Sequence, residues 1–295
     1  MRLSYEVVDV FTDRPFAGNP LAVVFGSADA PGGVDTAQFQ AIAREFNLSE
    51  TVFVLPPTVP QATYRVRIFT PTAELPFAGH PSVGAAVTQF RRGMIPAGPG
   101  IQECGAGLLP ITVDPAGWAQ VTGGEPTLSA PIEPGPLLAA VGLAAEDLAG
   151  PAPMVAGCGL PWPLLAVRGD AVARARSLPG GDLPGVPDVG GGPGLVLFAW
   201  DAEARTAHLR AFAPGYEDPA TGSATLALGV YLVACGWLPG AGNSQFEVHQ
   251  GAEIGRPSVL SGTVSAAAGQ VVGATVGGQV FPVAVGEIAI PSPSA

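Results

Sequence analysis

Two segments of the chain carry small and polar residues in an arrangement that could bind an anion. Residues 67–79 (RIFTPTAELPFAG) align without a gap with residues 210–222 (RAFAPGYEDPATG). Six of the thirteen aligned positions are identical: Arg67/Arg210, Phe69/Phe212, Pro71/Pro214, Glu74/Glu217, Pro76/Pro219 and Gly79/Gly222. Each copy leads into an apolar stretch that opens with small residues, Gly79-His80-Pro81-Ser82 in one and Gly222-Ser223-Ala224-Thr225 in the other. The duplication therefore predicts two equivalent helix N-termini.

Helix N-termini of this kind suit the binding of a carboxylate or a phosphate. The first N–H groups of a helix have no partner within the helix and lie at its positive end. If the two copies face each other, both N-termini meet in one cleft and hold an anion without a cationic side chain. Alternatively, the small residues at each opening only cap two buried helices. Because the arrangement occurs twice at equivalent places, a binding site for a small anion is favoured.

The two copies differ in their protic side chains, and these differences suggest proton transfer. His80 in the first copy corresponds to Ser223 in the second, and Leu75 corresponds to Asp218. Glu50 aligns in the same register with Pro193, so its carboxylate has no counterpart. A cleft with unequal acid and base groups on its two walls permits directional proton transfer. Taken alone, a Glu at the start of a strand is more often a solvated surface group.

The elements around these residues predict two copies of one α+β domain. A helix capped by Asp35 carries Phe39, Ile42, Ala43 and Phe46 on one face and stops at Asn47. A second helix begins near His80, with Pro81 as its first residue, and a third covers about 223–234. Alternating and apolar runs predict strands over 4–11, 21–25, 51–55, 62–69, 163–167, 195–200, 207–212, 245–249, 259–266, 270–276 and 280–285. The Gly- and Pro-rich stretch 178–194 is predicted to be a loop. The repeat spacing is too long for a solenoid.

Composition excludes several classes of function. With 47% hydrophobic and 13% charged residues, the 295-residue chain can build a large core, and its net charge of −11 disfavours nucleic acids and anionic membranes as partners. Three cysteines without CxxC spacing and three scattered histidines argue against a disulfide scaffold and a zinc site. The apolar stretch 224–238 is too short for a bilayer and is interpreted as a buried helix. The N-terminus starts directly with a strand pattern, so a cytoplasmic location is expected.

Five motifs occur in order along the chain. They are Val8-Asp9-Val10-Phe11 with Pro15-Phe16-Ala17-Gly18-Asn19-Pro20, then Asn47-Leu48-Ser49-Glu50-Thr51-Val52-Phe53-Val54, Leu75-Pro76-Phe77-Ala78-Gly79-His80-Pro81, Glu217-Asp218-Pro219-Ala220-Thr221-Gly222-Ser223-Ala224, and Gln250-Gly251 with Gly255-Arg256-Pro257-Ser258. These motifs resemble those of the PhzF-like family of phenazine biosynthesis, which shares its fold with diaminopimelate epimerases. Because they span the chain from end to end, the resemblance is specific.

The resemblance implies an α+β fold of two pseudo-symmetric domains, each a central helix wrapped by a rolled, mainly antiparallel sheet. We expect domains over 1–118 and 119–279, with the last strand, about 280–295, returning to the first. The resemblance also implies a homodimer. It gives Glu50 the role of general base and acid, and His80, Asp218 and Ser223 complete the catalytic set. Gly79, Ser82, Thr221 and Gly222 are expected to bind the substrate. No metal, flavin, nicotinamide or pyridoxal cofactor is implied.

One departure bears on the reaction. Epimerases and racemases of this architecture use a pair of cysteines at the two helix openings, whereas Cys104, Cys158 and Cys235 lie elsewhere in this chain. The sequence therefore favours a cofactor-independent isomerase that moves a proton on a small carboxylate-bearing metabolite. The alternatives are an epimerase or racemase of an amino-acid-like substrate and a catalytically idle protein that binds a small anion.

Overall fold

The chain divides into two compact units. The computed structural model describes residues 2–26, 33–177, 181–190 and 194–292. Unit 1 comprises Met1–Val121 and Gly277–Ala295, and unit 2 comprises Thr122–Val276. The predicted limits at 118 and 279 fall close to these bounds. The predicted loop 178–194 lies partly outside the described residues.

The elements of unit 1 are two helices and a set of short strands. In chain order they are β1 (Arg2–Val10), β2 (Asn19–Phe25), α1 (Thr36–Phe46), β3 (Glu50–Leu55), β4 (Tyr64–Phe69), β5 (Glu74–Leu75), α2 (Gly79–Arg91), β6 (Gly98–Cys104), β7 (Gly107–Asp114) and β8 (Trp118–Thr122). Strands β2 and β3 pair in parallel, as do β4 and β6, and the pairs β1–β2, β3–β4, β4–β5, β6–β7 and β7–β8 are antiparallel. The sheet is therefore mainly antiparallel.

Unit 2 repeats this order of elements. They are β9 (Pro126–Pro131), α3 (Pro134–Ala140), β10 (Met154–Cys158), β11 (Pro161–Ala166), α4 (Gly169–Arg174), β12 (Leu195–Asp201), β13 (Thr206–Ala213), β14 (Tyr216–Asp218), α5 (Gly222–Ala234), β15 (Gly242–Gln250), β16 (Ser258–Ala267) and β17 (Gln270–Ala289). Pairs β11–β12 and β13–β15 are parallel, and β10–β11, β12–β13, β13–β14 and β15–β16 are antiparallel. The pairing pattern of unit 1 thus recurs from β10 to β16.

Each unit buries one helix of the repeat against its strands. Helix α2 contacts β1, β2, β3 and β7, and α5 contacts β9, β10, β11 and β16. Nearly every residue of both helices is buried. A helix without charges over most of its surface must be covered on all sides, as these two are. The buried helix predicted within 224–238 is therefore confirmed over 224–234, and residues 235–238 follow the end of α5. Among the described residues, no helix has both the length and the apolar character needed to cross a membrane.

Helix α1 precedes β3 and determines where that strand begins. The Asp35 carboxylate accepts the N–H of Gln38, and the Gln38 side chain accepts the N–H of Asp35, which forms a capping box. At the other end Asn47 takes a left-handed conformation with φ of 50°, as is common after a helix. The predicted helix is confirmed, and its sharp end places Glu50 at the first position of β3.

Two predictions at element boundaries were wrong. Helix α2 begins at Gly79, so Pro81 is its third residue rather than its first. Proline is still accommodated there because the N–H groups of the first turn have no partner within the helix. The two strands predicted over 270–276 and 280–285 form one continuous strand, β17. That strand begins in unit 2 and ends in unit 1, where residues 280–289 pair with β1.

Candidate active site

The identical residues of the repeat form the same ion pair in both units. In unit 1 the Arg67 Nε and Nη2 atoms donate to Glu74 Oε1 and Oε2 at 2.7 and 2.6 Å. In unit 2 Arg210 donates in the same way to Glu217, at 2.8 and 2.6 Å. Each guanidinium also lies over a phenylalanine ring, Phe69 or Phe212. These residues fasten β5 to β4 and β14 to β13, so they position the helix openings rather than offer groups to a ligand.

The N-terminus of helix α2 has no side-chain cap. Ala78 is the N-cap residue, and no side-chain cap hydrogen bond forms there. The N–H and the hydroxyl of Ser82 both donate to the Ala78 carbonyl, at 3.3 and 2.9 Å, and Gln102 Nε2 donates to Ser82 Oγ at 2.8 Å. The hydroxyl of Ser82, predicted to bind substrate, is therefore used within unit 1 to hold the helix opening.

Glu50 and His80 come together in unit 1. His80 Nε2 lies 3.5 Å from Glu50 Oε2, and the two side chains are 6% and 17% exposed. This contact is not a hydrogen bond, and His80 Nε2 is buried with no hydrogen-bond partner among the described residues. Burial lowers the pKa of His80 to about 3, so its imidazole is neutral at pH 7. A carboxylate and a neutral imidazole thus lie side by side at the start of α2.

Residues of the opening motif contact Ser49, which precedes Glu50, and fix the loop between β1 and β2. Ser49 Oγ donates to Asn19 Oδ1 at 3.2 Å, and Asn19 is fully buried. The buried Asp9 carboxylate accepts the N–H of Phe16 at 2.7 Å. The opening motif, Asp followed by Gly-Asn-Pro, contains both of these residues, but its spacing does not show that Asn19 contacts Ser49.

In unit 2 a network of hydrogen bonds fixes the segment from Asp218 to Thr221. Thr221, the N-cap residue of α5, donates its hydroxyl to Asp218 Oδ2 at 2.6 Å. Gln250 Nε2 donates to Thr221 Oγ1 and to the Asp218 carbonyl at 2.9 and 2.7 Å, and Gln250 Oε1 accepts the Thr221 N–H at 3.0 Å. Asp218 and Thr221 are therefore held together, and Gln250 is a supporting residue that the sequence predicted only as part of a motif.

The late motif packs against the same segment. Gly251 has φ of 81°, and a Cβ atom there would lie 2.6 Å from the Pro219 carbonyl oxygen. Ser258 Oγ also donates to that oxygen at 3.0 Å. In unit 1 the Ala106 N–H donates to the carbonyl of Pro76, the residue aligned with Pro219, at 3.0 Å. The carbonyl groups of Pro76 and Pro219 are thus each contacted by a turn that follows a strand.

The counterpart of Glu50 in unit 2 is a glycine. Thr51 pairs with Phe69 and Leu195 pairs with Phe212, so the residue that precedes Leu195, Gly194, takes the place of Glu50. The gapless alignment of Glu50 with Pro193 was therefore wrong by one position, and Pro193 itself lies outside the described residues. A Cβ atom on Gly194 would lie 2.5 Å from Cζ3 of Trp162. No carboxylate occupies this place in unit 2.

The structure groups the predicted residues by unit. Unit 1 brings together Glu50, Gly79 and His80, with Ser82 in the first turn of α2. Unit 2 brings together Asp218, Thr221, Gly222 and Ser223 at the start of α5. Neither opening contains a cysteine, and all three cysteines of the chain are free thiols. Burial raises the pKa of Cys158 to about 11, which disfavours its thiolate. Among the described residues, no three His, Cys, Asp or Glu side chains could hold a metal ion together.

Comparison with known proteins identifies the family. The family model described as phenazine biosynthesis-like protein, PhzC-PhzF, matches residues 8–148 and 189–285. The chain belongs to this family. The resemblance seen in the sequence is thereby confirmed, and the match covers both helix openings of this PhzC-PhzF member.

Named relatives agree with this assignment. An uncharacterized isomerase from Mesorhizobium japonicum is 38% identical over 97% of this chain and 99% of its own length. The trans-2,3-dihydro-3-hydroxyanthranilate isomerase of Pseudomonas aeruginosa is 33% identical over 86% of this chain and 87% of its own. A PhzF-family protein of Bacillus anthracis superposes with a TM-score of 0.84 over 98% of this chain and 100% of its own, at 24% identity, which shows the shared fold. The chain is an enzyme of the isomerase class.

Proposed function

We propose that this PhzC-PhzF member moves a proton on a small carboxylate-bearing metabolite by general acid/base catalysis at Glu50, without a cofactor. The observation that carries the proposal is the juxtaposition of Glu50 with a neutral His80 at an uncapped helix N-terminus. A carboxylate near amides that have no side-chain cap can act on a ligand that those amides hold.

In this mechanism the substrate carboxylate binds to backbone N–H groups at the openings of α2 and α5. Glu50 removes a proton from a carbon whose electron pair can enter a conjugated system of the substrate. Protonated Glu50, directly or through Asp218 as a relay, then delivers a proton to another carbon of the same molecule, so the substrate is isomerised and the enzyme returns to its starting state. A positioned acid/base group typically contributes about 10²–10⁴-fold to the rate.

His80 and Asp218 support Glu50 in different ways. Because His80 is neutral at pH 7, it adds no positive charge beside the Glu50 carboxylate. Asp218 is already hydrogen-bonded to Thr221, so it is oriented to receive or return a proton while Glu50 handles the first transfer. We propose that both groups act on the same substrate.

The substrate class follows in part from the relatives. The Pseudomonas aeruginosa relative is named for the isomerisation of trans-2,3-dihydro-3-hydroxyanthranilate, and we propose a carboxylate of comparable size and unsaturation for this enzyme. We also propose that the protein works as a homodimer in the cytoplasm and binds neither nucleic acids nor membranes. Light scattering coupled to size-exclusion chromatography tests the dimer directly.

The proposed chemistry is tested by solvent exchange. Small unsaturated carboxylates are incubated with the protein in D₂O, and deuterium incorporation and changes of double-bond position are followed by NMR. Glu50→Gln should abolish both while ligand affinity, measured by calorimetry, stays nearly unchanged. Glu45→Gln is a matched control, because Glu45 is an exposed carboxylate on α1 of the same unit. Wild-type turnover by Glu50→Gln would disprove the assignment.

The same experiment separates the alternatives. An epimerase would exchange a single Cα proton and would lose stereochemical purity without moving a double bond. A protein that only binds anions would bind a carboxylate tightly in calorimetry and show no exchange. Neither helix opening carries the thiol that a two-cysteine racemase requires, so isomerisation is the function that the chain supports best.

A further inference from the structure

Ser223 in unit 2 is contacted by a side chain that the proposed mechanism has not used. Trp162 lies on β11, and its indole Nε1 donates a hydrogen bond to Ser223 Oγ at 3.0 Å. Trp162 and Ser223 are both partly exposed. The indole N–H can only donate, so Ser223 Oγ must be the acceptor in this bond.

The direction of this hydrogen bond leaves Ser223 as a donor. A serine hydroxyl has one hydrogen and two lone pairs, and the indole takes up one lone pair. The hydroxyl hydrogen therefore remains to donate, at the second position of α5, next to the uncapped Gly222 amide. Such a hydroxyl adds a directed O–H donor to the backbone N–H groups that receive an anion.

The indole of Trp162 has room in unit 2 because the two units differ at the position of Glu50. Gly194 stands where Glu50 stands in unit 1 and leaves room for the indole, since a Cβ atom on Gly194 would lie 2.5 Å from the ring. Ser223 aligns with His80. The pair Glu50 and His80 of unit 1 is thus replaced in unit 2 by an apolar ring and a hydroxyl, which cannot take up a proton from carbon at neutral pH.

We propose that Trp162 is a positioning residue for the isomerase: it orients the Ser223 hydroxyl as a donor to the substrate carboxylate and supplies an apolar wall beside it. This proposal rests on the proposed function. It assigns the anion-holding role to the opening of α5 and leaves base chemistry to unit 1.

The test is a double-mutant cycle on ligand binding. Calorimetry with anthranilate measures the Kd of the wild type, Trp162→Phe, Ser223→Ala and the double variant. Losing one neutral hydrogen bond should weaken binding roughly 3- to 10-fold in each single variant. If Trp162 acts through Ser223, the double variant should bind about as weakly as Ser223→Ala alone. Trp162→Ala should bind more weakly than Trp162→Phe, because it also loses the wall.

Trp200→Phe is the matched control. Trp200 is on β12 in the same unit, and its buried Nε1 has no hydrogen-bond partner among the described residues. The same chemical change there should leave the Kd for anthranilate unchanged. NMR of the indole N–H groups gives a second readout, since Ser223→Ala should shift the Trp162 resonance, and a saturating carboxylate should shift it in the wild type.

The outcomes distinguish the two proposals. Binding by the wild type together with unchanged binding by Trp162→Phe would overturn the positioning role alone. So would a double variant whose loss equals the product of the two single losses. If no carboxylate binds the wild type and none is exchanged in D₂O, the proposed function fails, and the role of Trp162 fails with it.

Discussion

The repeated ion pair allows the same substitution to be compared at a more exposed and at a buried site of one protein. Arg67–Glu74 and Arg210–Glu217 have nearly identical geometry, but their side chains are 24% and 38% exposed in unit 1 against 4% and 10% in unit 2. We expect Glu217→Gln to destabilise the fold far more than Glu74→Gln. Both changes keep the shape of the side chain and remove only its charge.

The expected magnitudes follow from burial. Breaking a buried pair leaves an uncompensated charge and typically costs about 3–5 kcal/mol, whereas an exposed pair contributes about 0–1 kcal/mol. Arg210 also donates to the Val172 and Ala175 carbonyls at 3.0 and 2.7 Å, so part of its hydrogen bonding survives. We therefore expect about 3 kcal/mol for Glu217→Gln and less than about 1 kcal/mol for Glu74→Gln.

Urea unfolding monitored by tryptophan fluorescence is the appropriate assay. Trp162, Trp200 and Trp237 lie in unit 2 and only Trp118 lies in unit 1, so circular dichroism should be recorded alongside to follow both units. High salt should reduce the small effect of Glu74→Gln and leave that of Glu217→Gln nearly unchanged. Equal losses from the two variants, or a larger loss from Glu74→Gln, would refute the reasoning.

Three further predictions concern the helix openings. Gly251→Ala should lower the free energy of unfolding by more than about 1 kcal/mol and weaken carboxylate binding, because alanine is strained at φ of 81° and its Cβ would displace Pro219; an unchanged urea midpoint would contradict this. Ser82→Ala should lower stability by about 1–3 kcal/mol, because Gln102 loses a buried acceptor, without weakening anthranilate binding measured by calorimetry. Between pH 6.5 and about 3, His80 binds a proton in the unfolded chain but not in the folded one. The free energy of unfolding of the wild type should therefore fall with falling pH more steeply than that of His80→Gln, by up to about 1.4 kcal/mol per pH unit. Urea-derived free energies of unfolding that change in parallel with pH in the two proteins would contradict this.

The sequence predicted the helices of the repeat and the residues at their openings. Glycine and other small residues followed by an uncharged apolar run predict α2 and α5, because a helix that is apolar on all sides has to be buried. The capping box of α1 was equally local, since Asp35 and Gln38 are three residues apart. Features that depend on a few neighbouring residues could therefore be predicted well.

Strand register and long-range support could not be predicted in this way. The correspondence of Glu50 with Gly194 depends on pairing with β4 and β13, which a gapless alignment does not contain. Gln250 and Trp162 reach Thr221 and Ser223 across separations of 29 and 61 residues. A strand has no internal hydrogen bonds, so its position is decided by partners that are distant in the chain.

The course of β17 has a consequence for how the chain is made. Unit 1 is assembled from both ends of the polypeptide, and β1 pairs on one side with β2 and on the other with residues 280–289. During synthesis on the ribosome, β1 and β2 emerge early, but the second neighbour of β1 emerges only after all of unit 2. One edge of the Glu50-bearing unit is therefore open for most of translation, whereas unit 2 is contiguous and can fold first.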